Sequence, residues 1–228
     1  MRQDQGSRVD KTPPEAELIA AGAGGDMAAF ERLVFLYEKR VVAVACRLCG
    51  DRREGEDLAQ EVFIRVWRAL PGYRRQASFN TWIMKILTNL WRDRLRKKQL
   101  PQESLDGLLE ARDGGGERQF ADGEPGPERQ YEEKETGEIL GKMLAELRPE
   151  YREVLVLRDI QQFSYDEVAA IVGCGLGTVK SRISRGRDAL RQKILDFQEQ
   201  NPGFFRLKQI KAVTDRTAAL ERREKDEG

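Results

Sequence analysis

The sequence predicts an all-α protein of two small helical domains joined by a flexible acidic linker, with a helix-turn-helix in the second domain. Three observations support this fold class. Apolar residues recur every three or four positions through most of the chain, which is the period of a helix with one buried face. A Gly- and Pro-rich acidic stretch at residues 99–137 interrupts that pattern. A Gly-rich break at residues 173–177 then separates two helical patterns, as expected for a tight turn.

Charge is distributed unevenly along the 228 residues, although the formal net charge is only +1. Residues 99–138 contain twelve acids and four bases, a net of −8, so the rest of the chain carries +9. A basic body with an acidic middle suits a protein that binds a polyanion and contains a segment that insulates or mimics it.

Cysteine and histidine usage excludes several kinds of site. The chain has three cysteines and no histidine, so it cannot complete a four-ligand structural zinc site alone. It also cannot form a Ser-His-Asp or Cys-His catalytic site. Cys46 and Cys49 lie one helical turn apart, and we interpret them as core packing in preference to a redox pair.

No stretch of the sequence predicts export or membrane insertion. No apolar run approaches the roughly 18 residues of a spanning helix, and the first residues lack the apolar core of a signal peptide. The protein is therefore expected in the cytoplasm.

The first predicted domain covers residues 15–98 and follows a polar segment, residues 1–14, that is expected to be disordered. A short helix is predicted directly after Pro13-Pro14. Asp26 is placed to cap a longer helix that ends at Gly50. The apolar residues of this helix recur at helical spacing, so it is expected to build core.

Two further helices are predicted in this domain. Residues 54–70 combine an apolar stripe with a polar face, a pattern that by itself suits a solvated surface. Residues 78–98 begin apolar and aromatic and end basic, with a net charge of +4 over residues 92–98. Aromatic residues beside cations are typical of single-stranded nucleic-acid binding. The same pattern also suits a core helix with a solvated cationic end.

The second predicted domain, residues 138–195, contains the helix-turn-helix. Pro149 favours a helix start. Ser164 and Glu167 have the spacing of a capping box, in which each side chain satisfies a free amide at the helix start. After the Gly-rich turn, Thr178 is placed to cap a second helix, whose outer faces carry lysines and arginines that include Arg187.

A basic second helix after a tight turn matches a DNA-reading motif. In such motifs the second helix enters the major groove with its N-terminal residues at base edges. Arginine there can neutralise phosphates or bond bidentately to guanine. Residues 196–228 form a C-terminal extension to which the sequence assigns no role.

The order of these parts resembles the bacterial RNA polymerase sigma factors of the extracytoplasmic-function (ECF) type, in the sigma-70 family, over roughly residues 16–195. DLAQEVFIRVWRAL at residues 57–70 looks like that family's core-polymerase-binding helix. Residues 79–98 look like its −10 reading segment, and residues 147–190 look like its −35 reading domain. Three motifs in this order, with an acidic linker between them, are a more specific signal than a lone helix-turn-helix.

The resemblance implies a promoter-specificity subunit that is not an enzyme. The clamp helices of the largest subunit of core RNA polymerase would contact Asp57, Gln60, Glu61 and Arg65. The −10 element would be contacted by Asn89, Leu90, Trp91, Arg92, Arg94, Arg96 and Lys97. The −35 duplex would be contacted by Thr178, Lys180, Ser181, Arg182, Ser184 and Arg185.

Further expectations come from the same resemblance. Asn89 is expected in a turn between two helices, where it would help to capture a base flipped out of promoter DNA. An anti-sigma factor is expected to cover the polymerase- and DNA-binding faces. No cofactor, metal or small-molecule substrate is implied. Gly186 stands where the family usually has Ala, which costs about 0.5–1 kcal/mol within a helix and predicts a less stable recognition helix.

Two other functions remain compatible with parts of the sequence. A stand-alone helix-turn-helix transcription regulator would explain residues 164–193 but leave residues 57–70 and 78–98 without a purpose. A DNA-strand-transferring enzyme would need a serine nucleophile, and no serine lies in an evident catalytic constellation.

Overall fold

The computed structural model of the chain describes residues 13–99 and 127–201. Side chains are described for residues 13–98 and 136–201. Within these ranges the fold consists of eight α-helices with short 3₁₀ and π segments and no β-strand, which confirms the all-α class. Most of the polar N-terminal segment, most of the acidic linker and most of the C-terminal extension lie outside the described residues.

Four helices form the first half of the structure. They are α1 (Glu15–Ala23), α2 (Met27–Cys49), α3 (Arg52–Ala69) and α4 (Phe79–Gln99), with a 3₁₀ turn at Leu70–Gly72. The Asp26 carboxylate caps α2 by accepting a hydrogen bond from the Ala29 amide at 3.1 Å. Gly50 ends α2 in the left-handed conformation, with φ of 75°. Both helix ends therefore lie where the sequence predicted them.

Asn89 lies in the middle of α4, so the prediction that it occupies a turn between two helices is wrong. The stretch Phe79–Gln99 contains neither glycine nor proline, and nothing in it interrupts the helical hydrogen bonds. The Ser78 hydroxyl accepts a hydrogen bond from the Thr81 amide at 3.1 Å where the helix begins. One continuous helix therefore carries all seven residues assigned to the −10 element.

Four helices form the second half. They are α5 (Pro127–Ala145), α6 (Pro149–Leu155), α7 (Tyr165–Val172) and α8 (Leu176–Gln200), with a π-helical turn at Val156–Ile160. Helix α5 begins inside the stretch predicted to be linker, and α8 continues beyond residue 195. The predicted capping box of Ser164 and Glu167 is formed at the start of α7, and Gly173 ends α7 with φ of 74°.

Helix α8 begins earlier than predicted. Gly175 occupies the position before its first residue, Leu176, and no side chain caps it. Thr178 therefore lies within the first turn and does not cap the helix. Glycine is tolerated at the capping position almost as well as serine or threonine, so the helix can begin three residues earlier than a Thr178 cap would place it.

One hydrophobic core runs through both halves of the molecule. Helix α4 packs against α7, and α2 packs against α5 and α6. Leu87 and Trp91 from α4 and Val154 and Leu157 from the α6 region belong to the same buried cluster. The two halves are therefore in direct contact in this structure, an arrangement that the predicted flexible connection did not indicate.

Two glycines allow helices to approach closely. A Cβ at Gly55 would lie 2.5 Å from the Cα of Cys46 and 2.6 Å from its backbone nitrogen, so α3 and α2 cross almost backbone to backbone. A Cβ at Gly186 would lie 3.2 Å from side-chain atoms of Leu155 and Tyr151. The glycine predicted only to weaken α8 thus also brings α8 close to α6.

Candidate nucleic-acid interface

The residues assigned to polymerase binding share one side of α3. Asp57, Gln60 and Arg65 are exposed, and Glu61 is half-buried. Their spacing of three and four residues aligns them along the helix. Ile64 lies among them and is 53% exposed, which makes it a large apolar side chain on a charged surface. Ile64 was not predicted as part of this face, although its spacing of four from Gln60 and three from Glu61 places it there.

Glu61 is tied to the helix that carries the −10 residues. Arg94 Nη2 lies 2.7 Å from Glu61 Oε2, and Arg94 also donates to the backbone carbonyls of Glu54 and Asp57 at 3.3 Å. Lys98 forms an ion pair with Glu54 at 2.6 Å. Arg94 is therefore directed toward α3, and the surfaces assigned to polymerase and to −10 DNA are joined by ion pairs.

The seven residues assigned to the −10 element do not form one exposed surface. Leu90 and Trp91 are only 6% and 2% exposed. Asn89, Arg96 and Lys97 are exposed. An open groove beside them is lined by Asn89, Arg92, Asp93, Leu95, Arg96 and Pro149. The exposed members of the set thus lie next to the junction with α6.

Arg92 crosses from α4 into the second half of the molecule. Its Nη2 and Nε atoms donate to the two carboxylate oxygens of Glu153 at 2.7 and 3.1 Å. Nη2 also donates to the backbone carbonyl of Val172 at 3.0 Å, at the end of α7. The Glu153 side chain is only 3% exposed. Burial raises the pKa of the Glu153 carboxyl above its usual value, and Arg92 partly offsets that rise.

Arg152 crosses the same junction in the opposite direction. It is 9% exposed and donates to the Leu48 carbonyl at the end of α2 at 2.6 Å. It also donates to the carbonyls of Ala145 and Leu147, and its guanidinium carbon lies 5.9 Å from the centre of the Trp91 ring. Carbonyls at helix ends lack partners within the helix, so a cation is well placed there.

The residues assigned to the −35 element lie in the first turns of α8. The exposed members are Thr178, Lys180, Ser181, Ser184 and Arg185. Lys180 Nζ lies 5.8 Å from the centre of the Tyr165 ring, which holds the cation near the start of α7. Arg182 is half-buried, and its Nη1 donates to Cys174 Sγ at 3.8 Å. Five of the six assigned side chains therefore share an open surface at the N-terminal end of α8. This is the end of the second helix that a helix-turn-helix presents to base edges.

Arg187 does not belong to this exposed surface, contrary to the sequence interpretation. Its side chain is 10% exposed and forms an ion pair with Asp159 at 2.8 Å. The pair joins α8 to the π-helical turn, so Arg187 helps to position α8. Asp159 is 28 residues away in the sequence, so no local sequence pattern predicts this ion pair.

Cys46 and Cys49 lie half-buried on α2. Burial raises the pKa of the Cys46 thiol and raises the pKa of the Cys49 thiol to about 11. The thiolate is the reactive form of cysteine, so these environments favour packing over redox chemistry. Among the described residues no group of His, Cys, Asp or Glu side chains could hold a metal ion. Within the same residues, no helix is long and apolar enough to span a membrane.

These pKa shifts predict slow alkylation of both thiols. At pH 8 we expect iodoacetamide to modify Cys49 at least about tenfold more slowly in the native protein than in urea, because a free thiol has a pKa near 8.5. Cys46 is expected to be slowed as well. Peptide mass spectrometry over a time course measures both rates. Equal rates in native and unfolded protein would contradict the buried placement.

Comparisons with known proteins agree with this architecture. Sigma-70 region 2 matches residues 33–100, and Sigma-70 region 4 matches residues 137–190. The ECF RNA polymerase sigma factor SigE of Mycolicibacterium smegmatis is 38% identical over 182 residues, covering 80% of this chain and 68% of that protein. The ECF RNA polymerase sigma factor SigW of Bacillus subtilis is 36% identical over 174 residues, covering 75% of this chain and 92% of that protein.

Two solved structures share the fold. CnrH in complex with the cytosolic domain of CnrY has a TM-score of 0.56 at 24% identity, covering 80% of this chain and 97% of that chain. The sigma factor RpoE of Bartonella quintana, in complex with the anti-sigma factor NepR, has a TM-score of 0.52 at 24% identity, covering 72% and 94%.

Proposed function

We propose a division of labour within this chain, which belongs to the ECF sigma factors of the sigma-70 family and directs promoter-specific initiation of transcription. Residues 15–98 bind core RNA polymerase and the −10 element, and residues 138–195 read the −35 element. The acidic residues 99–137 include the connection between them. The chain has no catalytic site of its own, and it acts in the bacterial cytoplasm, where polymerase and promoter DNA are found.

The exposed side of α3 binds the clamp helices of the polymerase largest subunit. Asp57, Gln60 and Arg65 form a polar rim around Ile64, and an apolar centre with a polar rim is the usual composition of a protein interface. Glu61 contributes to the same surface while paired with Arg94. This surface faces solvent in the structure, so polymerase can reach it without rearrangement of α3.

The exposed surface of α4 reads the −10 element. Asn89, Arg96 and Lys97 supply an amide and two cations beside an open groove, which suits contact with a displaced strand and its phosphates. Leu90 and Trp91 are buried beneath that surface in the present arrangement. Arg92 and Arg94 complete the set when their present partners release them.

The −35 element is read by the first turns of α8, and this surface carries the proposal. A capping box starts α7, a left-handed glycine ends it, and α8 follows directly with Thr178, Lys180, Ser181, Ser184 and Arg185 exposed. Arginine, lysine and hydroxyl side chains are the groups that contact guanine edges and phosphates in the major groove. A stand-alone regulator could use the same surface, but it would not account for the sigma-70 region 2 match.

An anti-sigma factor is the further partner of this chain in our proposal. The two solved structures compared above were determined with bound partners, the cytosolic domain of CnrY for CnrH and the anti-sigma factor NepR for RpoE. We infer that a protein of this kind binds here and competes with polymerase and DNA for the surfaces on α3, α4 and α8.

Run-off transcription with purified core polymerase on a pool of bacterial promoter fragments tests the function. Discrete start sites that appear only when this protein is added are expected, and alignment of their upstream sequences yields both promoter elements. If no new transcripts appear and the protein fails to co-elute with core polymerase, the division of labour is wrong.

Substitutions on α3 test the polymerase surface separately. The double variant Asp57→Ala/Gln60→Ala is expected to weaken core-polymerase binding by about tenfold, because each change removes a polar contact worth roughly 0.5–1.5 kcal/mol. Fluorescence anisotropy of labelled protein titrated with core enzyme measures the affinity. Glu38→Ala, which removes an exposed acid on α2, is the control. Equal affinities for the two variants would contradict the assignment of this face.

A further inference from the structure

Three elements of the second half meet at the side chain of Tyr165, the first residue of α7. The guanidinium carbon of Arg158, in the π-helical turn, lies 4.6 Å from the centre of the Tyr165 ring. Lys180 Nζ, in the first turns of α8, lies 5.8 Å from the same centre. A cation within about 6 Å of a ring centre is attracted by the negative face of the ring. Tyr165 therefore connects the π-helical turn to a lysine assigned to the −35 element.

The position of the Tyr165 ring is fixed by its surroundings within the protein. Arg158 is half-buried, and its Nη1 donates to the Phe163 carbonyl at 2.9 Å. Ser164 and Glu167 form the capping box on either side of Tyr165 in the sequence, which fixes the backbone at the start of the helix. Tyr165 itself is half-buried. The ring is therefore held in place before any DNA is bound.

Lys180 has more conformational freedom than the ring. Its side chain is exposed, and a lysine ammonium lies at the end of a flexible four-carbon stem. Fixing such a side chain at an interface costs conformational entropy. A contact that already favours one direction of the stem lowers that cost when DNA binds. The ring at the start of α7 thus gives Lys180 a preferred direction along the surface of the helix-turn-helix.

An aromatic partner holds a cation without neutralising it. Arg94, by comparison, is paired with the carboxylate of Glu61, and a DNA phosphate has to displace that acid before it can bind the guanidinium. The ring of Tyr165 bears no net charge and attracts the cation with its face alone. The Lys180 ammonium therefore keeps its charge and its N–H donors for base edges and phosphates.

We propose that Tyr165 is a positioning residue for −35 recognition, whose ring holds the Lys180 ammonium in the direction from which it meets the promoter duplex. Arg158 contacts the same ring and ties it to the π-helical turn. Tyr165 acts through Lys180 and needs no DNA contact of its own. The effect on DNA binding rests on the proposed function of α8, whereas the contact between Lys180 and the ring is measured without DNA.

Nuclear magnetic resonance of the full chain with isotope-labelled lysine tests the ring contact in the absence of DNA. The ring current of Tyr165 should shift the protons next to Lys180 Nζ upfield, and Lys180→Arg identifies their signal by removing it. Lys193 is the internal control, because it lies on the same helix and pairs with Glu146. Tyr165→Phe should keep the upfield shift, and Tyr165→Leu should abolish it. A wild-type Lys180 signal at the position of the Lys193 signal would overturn the proposal, and this comparison depends on no variant.

Fluorescence anisotropy with a duplex carrying the −35 element found by run-off transcription tests the consequence for binding. Tyr165→Leu should weaken binding about two- to fivefold, the equivalent of one exposed cation–π contact. Tyr165→Phe, which keeps the ring, should bind like the wild type. In a Lys180→Ala background Tyr165→Leu should cause no further loss, because the effects of two residues that act through one contact are not additive.

Two binding results would overturn the positioning role. If Tyr165→Leu weakens binding equally with and without the Lys180 side chain, the ring acts through the fold or through a DNA contact of its own. If Lys180→Ala binds as tightly as the wild type, Lys180 does not belong to the −35 surface; the proposed function of that residue then fails, although the upfield shift remains. Tyr165→Met replaces Tyr165→Leu if the latter loses helical circular dichroism, because an unbranched side chain fills irregular gaps.

Discussion

The Gly55→Ala variant is expected to lose about 2 kcal/mol of unfolding free energy, which corresponds to a fall of about 4–8 °C in the melting temperature. A Cβ at this position would lie 2.5 Å from the Cα of Cys46 and 2.6 Å from both its nitrogen and its Sγ. Two of these atoms belong to the backbone of α2, so no side-chain rotation relieves the clash. Thermal unfolding followed by circular dichroism measures the change.

Gly72→Ala is the matched control for this substitution. Gly72 lies in the 3₁₀ turn after α3, and a Cβ there would meet no atom within 4 Å. The control should therefore stay within about 0.5 kcal/mol of the wild type. If the two variants have the same melting temperature, α2 and α3 can move apart without loss of unfolding free energy, and the close helix crossing does not limit stability. A loss of stability confined to Gly55→Ala would show that the packing of α3 against α2 depends on this glycine.

The features that the sequence predicted well are those set by neighbouring residues. The Asp26 cap, the left-handed glycines at 50 and 173, and the Ser164–Glu167 capping box all depend on residues within one helical turn. The helices are likewise visible as apolar periodicity, because each buries one face. Family resemblance then gave the order of the functional parts, and the chain matches sigma-70 region 2 at residues 33–100 and sigma-70 region 4 at residues 137–190.

The features that could not be predicted depend on residues far apart in the sequence. Arg92 and Glu153 are 61 positions apart, and each is an ordinary charged residue on its own helix. Arg187 had the appearance of a surface cation until the fold placed Asp159 beside it. Resemblance assigns a role to each residue separately and does not say which residues meet. The turn expected at Asn89 was wrong for a different reason: the expectation came from the resemblance, and no glycine or proline in this stretch supported it.

The buried state of Leu90 and Trp91 shows why a site cannot be read from residue types alone. Both were assigned to the −10 surface, and both belong to the core that joins α4 to the second half of the molecule. Their burial is compatible with a role in DNA binding only if that junction opens. If Leu90 and Trp91 contact −10 DNA, the junction must be open in the DNA-bound state. A measurement of that opening therefore tests their assignment.

The Arg185→Ala variant is expected to weaken binding to the −35 duplex by about 1–3 kcal/mol, or roughly 5- to 150-fold, if its guanidinium reads a base. Arg185 is exposed in the first turns of α8, whereas Arg182 is half-buried beside Cys174. Substitution of Arg182 would therefore mix loss of DNA contact with loss of packing. Fluorescence anisotropy with a duplex carrying the −35 element found by run-off transcription measures the affinity.

Arg191→Ala is the control for the same helix, because Arg191 is also an exposed arginine but lies six residues, or about 9 Å, farther from the N-terminal end. Only the N-terminal part of a recognition helix reaches base edges. Loss of discrimination at one base pair by Arg185→Ala would identify direct readout. A uniform loss across sequences with a smaller salt dependence would identify a phosphate contact instead. Equal, small losses in both variants would mean that α8 meets DNA with a different face, because the charge removed is the same and only its position on the helix differs.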